Sequence, residues 1–236
     1  MFFADLQALI CFLIKCFYLN VATYIVLTYI CDLIGSKNIF TMIEMWNQRY
    51  AQEEYIYGKE PNEFFRAQLS LLPKGKILMP AEGEGRNAVY AATKSWEVVA
   101  FDSSKAAKEK AERLGKLKKV EIEYHISSFE EFKYETNTFD AIALIYAHTF
   151  NRKNTHQKML SFLKPGGILI LEGFSKKQIQ FNSGGPRNID MLFSADELKS
   201  DFSEFTQLDI DELETELQEG PLHIGEAAVI RAIGKK

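Results

Sequence analysis

From residue 45 onward, short apolar runs alternate with segments whose apolar residues recur every three to four positions, the order that builds a parallel sheet flanked by helices. KILMPA (76–81) reads as a strand and NAVYAATKS (87–95) as the helix after it. WEVVAFD (96–102) is a second strand, followed by an amphipathic helix over 103–117 capped by Ser103 or Ser104. VEIEYHI (120–126) and FDAIALIY (139–146) are a third and a fourth strand. THQKMLSFL (155–163) is helical, Pro165 stops it, and Gly166 and Gly167 turn the chain into a fifth strand, ILILEGF (168–174).

SKKQIQFNSGGPRN (175–188) reads as a mobile polar loop, and Ser194 with Glu197 forms a capping box that opens a helix over 195–202. Two last strands, near 204–212 and 225–233, follow without the helix that a parallel crossover needs, so they are expected to pair antiparallel. The acidic tract DIDELETELQEG (209–220) suits an edge strand whose charges discourage pairing with other chains. The fold class is α/β: a Rossmann-like, seven-stranded, mostly parallel sheet with an antiparallel C-terminal strand and helices on both faces.

The first residues follow a different pattern. Positions 6–34 are almost wholly apolar, but the uncharged run 16–31 has 16 residues, short of the roughly 20 that span a bilayer core. Three readings stay open: a membrane anchor that leaves Lys37 and the remaining chain on the cytoplasmic side; a start placed too early, with Met42 and Met45 at the head of the domain; and a cleaved signal, which lacks a basic leading segment and a small-residue cleavage site. The expected organisation is a hydrophobic segment, 1–41, and one α/β domain, 42–236. Contact with a membrane is expected only if 1–41 serves as an anchor.

Composition narrows the chemistry. A net charge of −4 and a pI near 5.7 provide no positive field to gather nucleic acid. Cys11, Cys16 and Cys31 all fall in the apolar segment. The domain therefore has neither a disulfide framework nor cysteine-ligated zinc, and suits a reducing compartment, the cytoplasm. His125, His148, His156 and His223 show no metal-binding spacing, so no metal is indicated.

In an open parallel sheet, ligands bind beyond the carboxyl ends of the strands, beside the first one. The turn there, Gly83-Glu84-Gly85-Arg86-Asn87-Ala88, matches GxGxxA, and Asp102 stands 19 residues after Gly83, where a carboxylate takes up both hydroxyls of a ribose. Asp102 also fits a helix cap before Ser103 and Ser104. A pyrophosphate needs unopposed N–H groups at the helix start, and Glu82 and Glu84 would repel it. An acidic rim instead suits the ammonium and sulfonium of S-adenosylmethionine.

With these motifs in order, residues 46–236 resemble class I S-adenosylmethionine-dependent methyltransferases, and within them the small bacterial enzymes of the tellurite-resistance and thiopurine methyltransferase type. The likeness is carried by Gly85-Arg86-Asn87-Ala88-Val89-Tyr90, by the opening WNQRYAQEEYIYGKEPNEFF (46–65), by LKPGGILILE (163–172) and by the two final strands. It implies a donor site at Ala81, Glu82, Gly83, Gly85, Asn87, Asp102 and Ser103. Ser128 and Phe129 would hold adenine, and Tyr146 would border the methionine moiety. Two positions depart from the pattern: Ala81 replaces the first glycine and Met79 the usual acidic residue, which leaves Glu82 to reach the donor's ammonium.

His148, just past the fourth strand, is the candidate base if the acceptor is a hydroxyl or amine; its alternative is a loop residue bonded to backbone. Trp46, Tyr57, Arg187 and His223 are the candidate acceptor-side residues, the last two also suiting turn formation and strand capping. The short cap before the domain favours a small-molecule acceptor, and the sequence sets no oligomeric state. Two other functions stay open, a non-catalytic cofactor-binding module and an NAD(P)-dependent oxidoreductase.

Overall fold

A computed structural model of the chain describes residues 43–236; the segment 1–41, with its three readings, lies outside the described residues. Among the described residues no helix is long and apolar enough to cross a membrane. The chain divides into two compact units, Met1–Trp46 and Asn47–Lys236, and the sheet belongs to the second. Residues 43–50 are helical. Beyond them come α1 (Glu63–Ser70), β1 (Lys76–Pro80), α2 (Arg86–Thr93), β2 (Glu97–Asp102), α3 (Lys105–Lys118), β3 (Glu123–Ile126) and β4 (Phe139–Ile145). The rest is α4 (Arg152–Phe162), β5 (Leu163–Phe174), α5 (Ala195–Asp201), β6 (Gln207–Gln218) and β7 (Ile224–Lys235).

The sheet has seven strands in the order β3-β2-β1-β4-β5-β7-β6. β1 to β5 are mutually parallel, and β7 runs antiparallel to both its neighbours. Strand order reverses between β1 and β4, which opens the ligand crevice of this architecture at their carboxyl ends. Residues on successive positions face opposite layers: Leu78, Ile142 and Leu169 pack in one core cluster, Ile77, Ala141 and Ile170 in the other. Burial on both faces is why these strands read as unbroken apolar runs, each large side chain contributing about 1.5–3 kcal/mol.

Four details differ from the sequence reading. β3 is shorter than expected, starting at Glu123. The β5 ladder begins at Leu163, opposite Phe139, so the Pro-Gly-Gly stretch lies within it; Gly166 has φ 78 and the register slips between Phe139 and Ala141. β6 extends to Gln218 because its pairing with β7 continues without a break, and its alternating burial confirms an acidic edge strand. The polar loop after β5 is pinned rather than loose: buried Gln178 donates to Ser183 Oγ at 3.0 Å and accepts the Ala228 N–H at 2.8 Å.

The capping box at α5 is present, Ser194 accepting from the Glu197 N–H and the Glu197 carboxylate from the Ser194 N–H. Ser194→Ala is expected to cost about 1 kcal/mol, measurable by denaturant unfolding.

Candidate active site at the carboxyl edge

The turn between β1 and α2 is built from residues in unusual backbone conformations: Ala81 has φ 50, Gly83 φ 62 and Gly85 φ 87. Only two of these need glycine for space. A Cβ at Gly83 would lie 2.8 Å from the Tyr50 hydroxyl, and one at Gly85 would lie 2.5 Å from Ala111 Cβ on α3. Ala81 occupies the left-handed region at a cost of about 1–3 kcal/mol, strain of the kind stored at functional turns.

Glu82 caps α2. Its Oε1 accepts the N–H groups of Asn87 at 2.9 Å and Ala88 at 2.8 Å. Burial pushes its carboxyl up to about 7, against the pull of these N–H donors and of Arg86. Asp102 similarly holds main chain: Oδ2 accepts from Gly83 at 3.1 Å and Oδ1 from Ser104 at 2.9 Å. Burial pushes it up to about 6. The helix cap is Ser104, whose Oγ accepts from the Ala107 N–H, so Asp102 fastens the glycine turn to the end of β2. Ser103 is half-buried beside it, and Tyr124 donates to the Gly83 carbonyl at 2.6 Å.

Glu84 corrects the expected acidic rim. Its Oε1 pairs with Lys110 Nζ at 2.8 Å, with side chains 2% and 5% exposed, and its Oε2 accepts the Tyr57 N–H at 3.2 Å. The carboxylate is turned into the protein, where burial without such partners would be prohibitive. Of the two glutamates, Glu82 alone stands at the crevice turn.

Phe129 is half-buried and packs edge-on against Phe101 at 5.5 Å. Ser128 accepts the Glu131 N–H at 3.2 Å, capping its own turn. Tyr146, at φ 53, follows the last residue of β4, and its hydroxyl donates to Glu172 Oε1 at 2.9 Å.

His148 is corrected as the candidate base. Its Nδ1 lies 2.8 Å from the Met191 carbonyl and its Nε2 accepts the Phe174 N–H at 3.0 Å. Both ring nitrogens are committed to main chain, and burial lowers its pKa to about 4. The neutral ring joins β4, β5 and the segment before α5, and no lone pair is left for a substrate proton. Arg187 is also corrected: exposed, it bonds the Phe181 carbonyl and Asn182 Oδ1 of its own loop. Trp46 falls in the other compact unit.

Tyr57 and His223 do come together, ring centroids 4.5 Å apart, with Tyr146 4.7 Å and Phe174 5.3 Å from the same imidazole. A polar network that sequence reasoning missed surrounds them. Buried Glu172, at the carboxyl end of β5, accepts from Asn62, Tyr146 and Arg231. Glu219 accepts from Asn62 at 2.7 Å and from Arg86 at 2.9 Å. The available signal was a carboxylate ending an apolar strand, ILILE, which seldom lies buried without partners.

Three comparisons bear on this geometry. Residues 77–167 match a family described as a methyltransferase domain. Curated proteins provide no match. Among solved structures, one from work on the conversion of a disulfide bond into a thioacetal group during echinomycin biosynthesis is 14% identical, covering 83% of this chain and 91% of that one, at TM-score 0.67. A S-adenosylmethionine-dependent methyltransferase from Methanosarcina mazei is 17% identical over 75% of this chain and 98% of its own, at TM-score 0.55. TehB from Haemophilus influenzae is 14% identical over 75% of this chain and 62% of its own, at TM-score 0.59. These likenesses establish the fold. Together with the domain match over residues 77–167 they place a methyltransferase domain on this fold.

Proposed function

We propose that the chain methylates a small-molecule acceptor, with the donor held in the crevice around Ala81–Gly85 and Asp102. The observation that carries this reading is the cap at α2. The N–H groups of Asn87 and Ala88, where a dinucleotide's pyrophosphate would seat, already bind the protein's own carboxylate, Glu82. A cationic donor tolerates that carboxylate, which argues against the NAD(P) alternative. S-adenosylmethionine supplies an activated methyl group.

In this reading Asp102 faces the ribose from a carboxylate already fixed by Gly83 and Ser104, and Ser103 lies beside it. Phe129 offers an aromatic face to adenine next to Ser128, and Tyr146 borders the methionine moiety. Tyr57 and His223 stand on the acceptor side. Asn87 acts through the frame, its Oδ1 accepting the Asn62 N–H at 2.8 Å. His148 positions β4 and β5 instead of moving protons. The kinship with tellurite-resistance and thiopurine methyltransferases rests on the Gly85-Arg86-Asn87 motif, and the thiol-free domain suits the cytoplasm.

Isothermal calorimetry with S-adenosylmethionine, its demethylated product and NAD(P) tests the reading. Saturable binding of the first two and not of NAD(P) is expected. Asp102→Asn should weaken donor binding by about ten- to a hundredfold, as loss of a charged hydrogen bond does. Absence of donor binding by the folded protein overturns the proposal.

A further inference from the structure

The β6–β7 hairpin projects past the carboxyl edge. β5 ends opposite Val229, whereas β6 and β7 stay paired out to Gln218 and Ile224. Its tight turn, closed by the Glu219 N–H to the His223 carbonyl at 2.9 Å, sets Glu219 and His223 side by side over the site. The tip docks on the segment before α1: a Cβ at Gly220 would lie 2.5 Å from the Gly58 nitrogen. This contact leaves Gly220, at φ 89, no room for a side chain.

We propose that His223 is the proton acceptor for methyl transfer to a protic nucleophile, an amine or hydroxyl, with Glu219 as its positioning carboxylate. This deepens the methyltransferase reading and rests on it. Four observations carry the assignment. His223 Nδ1 faces Glu219 Oε2 at 3.5 Å, a long contact that places the ring proton on Nδ1 and leaves Nε2 as the basic nitrogen. Glu219 is itself held by Asn62 and Arg86, so it is oriented independently of the histidine. Nε2 has no hydrogen-bond partner among the described residues, in contrast to both nitrogens of His148. Finally, what abuts that edge of the ring is Gly184: a Cβ there would stand 3.1 Å from Nε2, so the wall beside the nitrogen is bare backbone of the loop after β5.

The charged and titratable groups facing His223 are Glu219 on its own turn, Arg86 from α2, Glu172 from β5, His148 beyond β4, and the phenols of Tyr57 and Tyr146. Burial lowers the imidazole's pKa, opposed by Glu219, so the ring is neutral and able to accept at physiological pH. Glu219 itself stays ionised: against the effect of burial, His223 and Arg86 hold it down to about 2. As the acceptor's new N–CH3 or O–CH3 bond forms, the S–CH3 bond breaks with its electron pair left on sulfur. The acceptor's proton passes to Nε2, and Glu219 stabilises the imidazolium. A thiolate acceptor has no proton to lose and gains nothing from this pair.

The test uses the full chain labelled with 15N-histidine. Long-range 15N–1H spectra from about pH 5 to about pH 9 report the tautomer of His223, assigned with His223→Asn. The expected result is a proton on Nδ1 and a bare Nε2 at neutral pH, with the titration midpoint falling by about one pH unit or more in Glu219→Gln. A proton on Nε2, or a midpoint indifferent to Glu219→Gln, overturns the proposal, and neither readout requires an acceptor. In parallel, methyl transfer from S-adenosylmethionine to primary amine, phenol and thiol probes is compared. His223→Asn should cost the amine and phenol reactions about 10²- to 10⁴-fold, a larger loss than it causes with the thiol probe. Equal losses on all three probes also overturn it. Donor affinity is measured on each variant: if the wild type binds no donor, the methyltransferase reading fails, whereas donor binding with the wrong tautomer defeats His223 alone.

Discussion

Lys110→Met is expected to lower the free energy of unfolding by about 3–5 kcal/mol, the cost of stranding a buried charge. Lys110 reaches from α3 to Glu84 at 2.8 Å, with neither side chain more than 5% exposed, and also donates to the Glu54 carbonyl at 2.5 Å. Without the ammonium, Glu84 keeps the Tyr57 N–H at 3.2 Å, far too little for an ionised group out of water. The same pair links the glycine turn, α3 and the segment 54–57, so the loss should appear as a lower denaturant midpoint with an unchanged slope. The double variant Glu84→Leu with Lys110→Met should recover most of the loss, because well-packed apolar replacements of buried ion pairs are often neutral or stabilising. A single variant costing under about 1 kcal/mol would mean that water reaches the pair, since exposed pairs contribute no more than that.

Glu82→Gln should reverse a pH-dependent weakness of the fold. A carboxyl held at about 7 when folded, against 4.5 for an ordinary glutamate, binds more protons folded than unfolded between those values. Its contribution is complete below about 4.5 and is lost as pH rises through about 7. Glutamine retains the acceptor for the Asn87 and Ala88 N–H groups without an ionisation to suppress. The stability of Glu82→Gln relative to wild type should therefore climb by roughly 2.5 kcal/mol between about pH 5 and about pH 8. The comparison between variants is needed because His148, held down to about 4, loses stability in the opposite direction as pH falls from its ordinary 6.5 through 4. A flat difference across this range would show that Glu82 is ionised at no cost. If the donor's ammonium meets Glu82, binding at about pH 6.5 also releases a proton, detectable by calorimetry in buffers of different ionisation heat. Donor affinity unchanged in Glu82→Gln would remove Glu82 from the donor site.

The strands and the turn were legible because each leaves a one-dimensional trace. KILMP and FDAIALI are continuous apolar runs because both faces of the sheet's centre are covered, and Gly83 and Gly85 mark left-handed backbone. The spacing from Gly83 singled out Asp102, which bonds the Gly83 N–H in the folded chain. The two glutamates illustrate the limit: next but one in sequence, they have separate fates, Glu82 capping α2 and Glu84 paired with Lys110 on α3. His148 and His223 differ for a similar reason: the first has both ring nitrogens bonded to main chain, the second faces Glu219 through Nδ1. Position after a strand suggested the first, but what a ring nitrogen can do depends on which atoms already bond it.

By itself, the sequence determined the α/β class, the parallel core, the antiparallel final pair and the glycine turn with its aspartate. All of these follow from local conformation and from spacing along one strand and helix. Only the tertiary structure decided which polar side chains are spent on the frame and which remain for chemistry. Asn62, Arg86, Glu172, Glu219 and His223 share one network in which directly bonded partners lie up to 157 residues apart. A buried polar atom's role is fixed by the partners that satisfy it, and those partners are set by the packing of distant elements, which no local pattern records.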